Sequence, residues 1–132
     1  MDMTAKTRSD QLLYVRQDIG SGRPIVLLHG MFGDGTQWRV IADLLSAYYR
    51  VIVVDLLGHG KSPRPKNAQY TPDEHSLMLR KTLENLRATE DLTVVGYSMG
   101  GTVALKYAAD YHDVSQLYMI STPFFLKPGE MV

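Results

Sequence analysis

Residues 94–101, Val-Val-Gly-Tyr-Ser-Met-Gly-Gly, constrain the fold more than any other part of this chain. Two β-branched residues lead into the segment and a helical pattern follows it, so Ser98 falls on a sharp turn from strand to helix. Gly96 and Gly100 stand two residues before and after this serine, where a side chain would collide as the strand and helix backbones approach each other. A turn this tight strains the serine backbone and exposes its hydroxyl group.

The same turn has a chemical consequence. The backbone N–H of Met99 falls in the first turn of the following helix and points to where an oxyanion would form. A Gly-x-Ser-x-Gly pattern alone is weak evidence, because chance places one in roughly one chain in twenty of this length. The preceding strand and the following helix favour a nucleophile elbow, in which Ser98 is the attacking group.

Composition excludes several classes of function. Lys plus Arg and Asp plus Glu number 14 each, so the formal net charge is zero and no basic surplus indicates a nucleic-acid partner. The chain has no cysteine, which excludes disulfides, thiolate metal sites and a cysteine nucleophile. Its N-terminus shows no apolar signal segment, and no apolar run approaches the ~18 residues of a membrane span. We therefore expect a soluble, cytoplasmic protein with no nucleic-acid or membrane partner.

Strands alternate with helices along the chain. Weak alternation predicts a strand at 12–18, and apolar runs predict strands at 24–28, 50–54, 92–95 and 114–120. Helical spacing predicts one helix capped by Thr36, a second capped by Thr71, and a third that continues from the elbow through 102–111. The residues from 121 to 132 look irregular. This alternation predicts a mostly parallel sheet with helices on both faces.

Three glycine-rich segments follow predicted strands, at 29–35, 58–62 and 96–100. The carboxyl ends of parallel strands lie at one edge of a sheet, which is where such folds place their functional groups. Loops that are distant in sequence should therefore converge on one rim, as a single active site requires.

Three segments in this order resemble the α/β-hydrolase superfamily. They read His29-Gly30-Met31-Phe32-Gly33, Asp55-Leu56-Leu57-Gly58-His59-Gly60-Lys61-Ser62, and Gly96-Tyr97-Ser98-Met99-Gly100-Gly101. The resemblance covers residues from about 12 to 120 and implies an α/β-hydrolase fold. A serine at position 98 separates the chain from haloalkane dehalogenases and epoxide hydrolases, which use aspartate there. It looks closest to small esterases, C–C bond hydrolases and the SHCHC synthases of menaquinone biosynthesis, although those synthases typically carry arginine where this chain has Thr102.

The resemblance implies roles for individual residues. Ser98 corresponds to the nucleophile, and the backbone N–H groups of Met99 and Met31 correspond to the oxyanion hole, with Phe32 as the alternative to Met31. Phe32 and Tyr97 correspond to the apolar mouth of the substrate pocket. The implied substrate is a small molecule with an ester, thioester or related carbonyl, the implied intermediate is an acyl-enzyme, and no cofactor or metal is implied.

None of the four histidines is expected to act as the base. The resemblance makes His29 and His59 loop-shaping residues, while His75 and His112 fall at the ends of predicted helices. Asp55 is expected to bond backbone amides of its own turn. Complete family members supply the acid and the histidine of their triad from later strands, usually after a helical cap. We therefore expect residues 1–132 to form a single α/β-hydrolase domain, the N-terminal half of the fold, that is near-inactive alone.

Such an incomplete sheet would leave the strand at 114–120 as an exposed apolar edge. An edge of this kind pairs with other chains, so self-association or a complementing C-terminal fragment is expected. The alternatives to a hydrolase are a non-catalytic binding or regulatory module, an SHCHC-synthase-like lyase, and a complete flavodoxin-like domain. Neither glycine loop follows the phosphate-binding pattern that the last of these would need.

Overall fold

Five strands form one sheet in the computed structural model, which describes residues 11–123, 125–127 and 130–131. The strands are β1 (Val15–Ile19), β2 (Pro24–Leu28), β3 (Arg50–Val54), β4 (Leu92–Tyr97) and β5 (Val114–Ile120). Their order across the sheet is β1-β3-β2-β4-β5. β1 runs antiparallel to β3, and the other three pairings are parallel. The predicted mostly parallel sheet is therefore confirmed.

Helices connect the strands and cover both faces of the sheet. They are a 3-10 helix (Gly35–Trp38), α1 (Arg39–Leu45), α2 (Pro72–Asn85) and α3 (Met99–Asp110). Thr71 caps α2 as predicted, because its hydroxyl accepts a hydrogen bond from the Glu74 amide at 3.2 Å. Thr36 is not a cap. Asp34 caps the 3-10 helix instead, and its carboxylate accepts the Thr36 amide hydrogen at 2.8 Å.

The strands alternate their side chains between two apolar cores. In β3, Ile52 and Val54 face the core beneath α2 and α3, whereas Val51 and Val53 face the core beneath the 3-10 helix and α1. All four side chains are fully buried. A strand that is buried on both faces has no solvent side, which explains why its sequence is a continuous apolar run.

The face that carries α1 is unevenly covered. Ile41 and Leu44 of α1 follow the predicted helical spacing, yet 46% and 69% of their surfaces are exposed. On the same face, Tyr118 and Ile120 of the edge strand β5 are 52% and 46% exposed. The buried apolar residues of that face come from β2, β3, the 3-10 helix and α1, so among the described residues none of this cluster covers the part of the sheet nearest β5.

The stretch expected to be irregular contains two short strands, β6 (Phe125–Lys127) and β7 (Glu130–Met131), which pair antiparallel. That expectation was wrong for these five residues, because their backbones pair with each other across the two strands. The prediction about a signal segment falls on residues outside those described. Within the described ranges, no helix combines the length and apolarity needed to cross a bilayer.

Candidate active site

Ser98 occupies the turn between β4 and α3 in a strained backbone conformation. Its φ is 53° and its ψ is −117°, a combination that residues with side chains rarely adopt. The Ser98 amide donates a hydrogen bond to the Ile120 carbonyl at 2.9 Å, which holds the turn against β5. The Ser98 side chain does not cap α3 and has no hydrogen-bond partner within the described part of the chain. Its hydroxyl is thus available to a substrate.

Two glycines make this turn sterically feasible. A Cβ atom on Gly96 would lie 2.5 Å from the Gly101 nitrogen, and one on Gly100 would lie 2.6 Å from the His29 carbonyl oxygen. Both obstacles are backbone atoms, which cannot rotate away as a flexible side chain could. The tight approach of β4, α3 and the end of β2 therefore requires glycine at both positions.

The first amides of α3 follow Ser98 directly. Helix geometry gives the N–H groups of Met99 and Gly100 no intrahelical acceptor, and the aligned peptide dipoles make this end of the helix partly positive. These amides can therefore bind a developing negative charge beside the serine.

The loop after β2 packs against the same turn. A Cβ atom on Gly30 would lie 3.0 Å from Cδ1 of Tyr97 and 3.5 Å from Cβ of Ser98, so a side chain at position 30 would crowd the serine. β2 and β4 are neighbours in the sheet, which brings their carboxyl ends to one rim. The structure thus brings the loop of Met31 and Phe32 together with the turn of Tyr97, Ser98 and Met99. The side chain of Phe32 is fully exposed at this rim.

Hydrogen bonds fix several polar backbone groups of the loop after β2. The Gly30 amide donates to Oε1 of Gln37 at 3.1 Å, and the Gly30 carbonyl accepts from the Gly33 amide at 3.3 Å. The carbonyl of Met31 faces a ring nitrogen of His59 at 2.9 Å. The N–H groups of Met31 and Phe32, in contrast, have no acceptor among the residues described. Both amides therefore remain candidates for the second oxyanion-hole donor.

His29 is buried and links the two glycine-rich loops. Its Nε2 accepts a hydrogen bond from the Leu56 amide at 2.9 Å, so the proton of the neutral ring sits on Nδ1, which donates to the Gly30 carbonyl at 2.7 Å. Burial lowers the pKa of His29, and the nearby His59 ring lowers it further. A ring bonded in this way shapes the loops and has no free nitrogen for Ser98.

The carboxylate of Asp55 binds both the loop after β2 and the loop after β3. Its buried carboxylate accepts two hydrogen bonds from Arg16, at 2.9 and 2.6 Å, and one each from the amides of Gly35 and Lys61, at 2.8 and 2.9 Å. Burial alone raises the pKa of this carboxyl group, but the bonds from Arg16, Lys61 and Gly35 outweigh it and the net pKa is lowered. Sequence reasoning anticipated only the amide of its own turn, at Lys61.

The remaining histidines lie elsewhere. His75 is only 4% exposed in α2, its Nδ1 has no partner in the described structure, and burial lowers its pKa to about 4. His112 is exposed after α3. Within residues 11–123, no histidine or carboxylate forms a hydrogen bond with Ser98. The described residues also contain no group of three or more His, Cys, Asp or Glu side chains placed to hold a metal ion.

An open groove of about 340 Å³ adjoins the serine turn on the α1 face of the sheet. It is lined by Gln37, Trp38, Ile41, Tyr97 and Ile120. Tyr97 directly precedes the serine, and the Ile120 carbonyl binds the serine amide. An apolar surface therefore borders the polar site.

The chain is similar in sequence and fold to known proteins. A family model described as the alpha/beta hydrolase fold matches residues 23–131. Lipase 3 of Moraxella sp. (strain TA144) is 33% identical over 121 residues, which are 91% of this chain and 38% of the lipase. An esterase from Exiguobacterium antarcticum has a TM-score of 0.79 at 32% identity, with 89% of this chain and 45% of the esterase covered.

A third similar structure is a meta-cleavage product hydrolase from Pseudomonas fluorescens IP01. It has a TM-score of 0.75 at 31% identity, and the match covers 83% of this chain and 41% of that one. This chain therefore spans less than half the length of each of these three proteins.

Proposed function

The chain belongs to the α/β-hydrolase fold family, and from this membership together with the backbone of Ser98 we propose that it carries the nucleophile and oxyanion hole of a serine hydrolase. The observation that carries the proposal is the positive φ of Ser98 at a strand-to-helix turn, with an unbonded hydroxyl beside free helix amides. Its similar proteins are lipases, esterases and C–C bond hydrolases, so the proposed substrate has an ester, thioester or related carbonyl.

The proposed reaction proceeds through an acyl-enzyme. Oγ of Ser98 attacks the carbonyl carbon while its proton passes to a general base. The oxyanion accepts hydrogen bonds from the Met99 amide and from the amide of Met31 or its alternative, Phe32. Collapse of the tetrahedral intermediate expels the alcohol or thiol, which takes up the proton, and water then cleaves the acyl-enzyme. The Phe32 and Tyr97 side chains would contact the apolar part of the substrate.

The general base has to come from elsewhere. No described histidine bonds Ser98, and the chain spans only 38% of the length of the similar lipase. We propose that polypeptide outside these residues supplies the triad acid and histidine, either within a longer protein or from a second chain. Without a base, serine stays a neutral alcohol, and the loss in turnover is on the order of 10⁴–10⁶.

The edge strand β5 is the proposed attachment point for that polypeptide. β5 pairs only with β4 among the described strands, and its Tyr118 and Ile120 side chains are exposed. An unpaired strand edge offers N–H and C=O groups to another strand, and these apolar side chains add area to bury. Self-association through the same edge is the alternative outcome.

A non-catalytic binding module is the second candidate function. The free amides beside Ser98 and the adjoining apolar groove favour it, because they can bind a carbonyl or carboxylate ligand even when no base is present to catalyse its hydrolysis. A lyase of the SHCHC-synthase kind is the less favoured alternative, since Thr102 stands where those enzymes typically carry arginine.

A fluorophosphonate probe tests the proposal directly. The chain of residues 1–132 should label slowly at Ser98, and adding a polypeptide that supplies the C-terminal half of the fold should increase the rate by about 10⁴-fold or more. Mass spectrometry of the labelled peptide identifies the modified residue. The variant Ser98→Ala should not label, whereas Ser21→Ala, which removes an exposed serine between β1 and β2, should label like the parent chain.

The outcomes are distinct. Labelling at a residue other than Ser98, or none after complementation, contradicts the serine mechanism and leaves the binding module as the better reading. Rapid labelling of a monomer without any added segment contradicts the claim that the base lies outside the chain.

A further inference from the structure

Hydrogen bonds fix the backbone of Ser98 on both sides. Its amide donates to the Ile120 carbonyl at 2.9 Å, and its carbonyl accepts from the Gly101 amide at 2.9 Å. Because peptide groups are planar, holding the two peptides that flank a residue fixes both of its dihedral angles. The φ of 53° and the ψ of −117° at Ser98 therefore depend on two anchors, Ile120 at the end of β5 and Gly101 in α3.

Strain at Ser98 makes these anchors necessary. A strained backbone persists only where surrounding contacts hold it, since it otherwise relaxes to a conformation of lower energy. If Ile120 and Gly101 moved apart, Ser98 could relax, and its hydroxyl and the Met99 amide would change direction with it. Whatever sets the spacing of the two anchors therefore sets the geometry of the serine.

Thr122 lies between the two anchors. The chain leaves β5 through Ser121, whose φ is 52°, and Thr122 then contacts α3. A Cβ atom on Gly101 would overlap Oγ1 of Thr122 and would lie 3.0 Å from its Cβ. The threonine hydroxyl thus occupies the space that a side chain at position 101 would fill, two residues after Ile120.

Hydrogen bonding does not explain this threonine. Its Oγ1 is buried and has no hydrogen-bond partner among the described residues. A buried hydroxyl without a partner lowers the stability of a fold. The contact that the hydroxyl does make is steric, because it fills the gap beside Gly101.

We propose that Thr122 is a positioning residue for Ser98, which spans from the end of β5 to Gly101 and so keeps the two anchors at the spacing that the strained serine requires. This lock is a property of the fold. Its consequence for nucleophilic attack rests on the proposed serine mechanism, because only there do the directions of the Ser98 hydroxyl and the Met99 amide affect a reaction.

Hydrogen exchange of the Ser98 amide tests the lock without any enzymatic step. This amide donates to the Ile120 carbonyl, so nuclear magnetic resonance of the ¹⁵N-labelled chain of residues 1–132 follows the anchor directly. Thr122→Ala empties the gap and should speed exchange of the Ser98 amide by about tenfold relative to amides of the central strand β2, as expected when one hydrogen bond is lost. Thr122→Ser keeps the hydroxyl and should exchange like the parent chain.

A paired substitution makes the test specific to this contact. Gly101→Ala puts a methyl group where the Thr122 hydroxyl lies, so the two collide and the Ser98 amide should again exchange faster. In Gly101→Ala combined with Thr122→Ala, the new methyl fills the gap from the opposite side, 3.0 Å from the remaining Cβ at position 122. A small shift relieves that distance. Each substitution alone should therefore loosen Ser98, and the two together should restore its protection.

Controls separate the lock from general loosening. Thr89→Ala removes a partly buried threonine before β4, at the opposite end of the sheet, and should leave exchange of the Ser98 amide unchanged. Equal acceleration of the Ser98 and β2 amides would overturn the proposal, as would additive effects of the two substitutions. If Gly101→Ala does not fold, the comparison of Thr122→Ala with Thr122→Ser decides the matter.

Fluorophosphonate labelling adds a functional measurement. The labelling rate at Ser98 should fall in each single alanine variant and should recover in the double variant and in Thr122→Ser. Unchanged labelling in a variant whose Ser98 amide exchanges faster would show that Thr122 does not position the nucleophile. Absence of labelling in every protein would contradict the serine mechanism while leaving the exchange measurements unaffected.

Discussion

Nε2 of His29 accepts a hydrogen bond from the Leu56 amide at 2.9 Å and so joins the loop after β2 to the loop after β3. Both partners are fully buried, and the bond exists only while the ring is neutral. Protonation would turn an acceptor into a donor facing another donor. Acid should therefore weaken the fold at the rim that carries Ser98 as well as in its core, where His75 is buried.

The buried His75 gives the first prediction. Its pKa falls from 6.5 to about 4, so the unfolded chain binds more protons than the folded chain between these values. Stability is full above pH 6.5 and declines as pH falls toward 4, by about 2 kcal/mol at pH 5 from this group. His75→Leu should remove that part of the decline in urea unfolding curves at pH 7 and pH 5. His112→Ala, at an exposed position, should keep it; equal declines in all three proteins would refute the assignment.

Strain at Ser98 gives the second prediction. Glycine adopts a positive φ without steric cost, so Ser98→Gly should raise the free energy of unfolding by about 1–3 kcal/mol while it abolishes probe labelling. As a control, Ala109→Gly at an exposed position of α3 should lower stability by about 0.5–1 kcal/mol. A loss of stability in Ser98→Gly would show that the backbone at this turn is not strained.

Close backbone packing at Gly100 gives the third prediction. Alanine favours helices over glycine by about 1 kcal/mol, yet a Cβ at position 100 would meet the His29 carbonyl at 2.6 Å. Gly100→Ala should therefore destabilise the chain by at least about 1–3 kcal/mol. Gly33→Ala meets only the Gln37 side chain, which can move, and should change stability by less than about 1 kcal/mol. Thermal unfolding of the two variants compares them, and equal effects would contradict the packing argument.

The open edge at β5 gives the fourth prediction. The intact chain should self-associate with increasing concentration in sedimentation velocity, and Tyr118→Lys should shift it toward monomer, because a charge at an edge strand opposes pairing. Leu105→Lys alters a similarly exposed residue on α3 and should leave association unchanged. A wild-type chain that stays monomeric at high concentration, or an equal response of both variants, would argue against this edge.

Several features of the site could be read from local sequence. Glycine is required at positions 96 and 100 because a side chain there would collide with backbone atoms a few residues away or at the end of the neighbouring strand. The Gly-x-Ser-x-Gly pattern predicted both. Thr71 with Pro72 and two acidic residues in the next turn marked the start of α2 because capping depends on adjacent residues. The apolar runs identified the central strands, since a strand buried on both faces has no polar side.

Other features depended on partners that are far apart in the chain. Asp34, not Thr36, caps the 3-10 helix that follows the loop of Met31 and Phe32, in a segment where Asp55, 20 residues away, accepts a hydrogen bond from the Gly35 amide. Ile41 and Leu44 have the spacing of core residues, but their exposure depends on what covers that face of the sheet. The bidentate pair of Arg16 and Asp55 joins β1 to the residue that follows β3, and neither local sequence indicates this pairing.

Sequence alone therefore determined the elbow, the order of strands and helices, and Ser98 as the candidate nucleophile, because each follows from contacts between near neighbours. Tertiary structure decided which hydrogen bonds His29 and His59 make. The acceptors of His59 lie in two loops that meet only when β2 and β3 pair side by side. The tautomer of the neutral His29 ring follows from its own partners, the Leu56 amide and the Gly30 carbonyl, so the state of that imidazole is set by the fold that surrounds it.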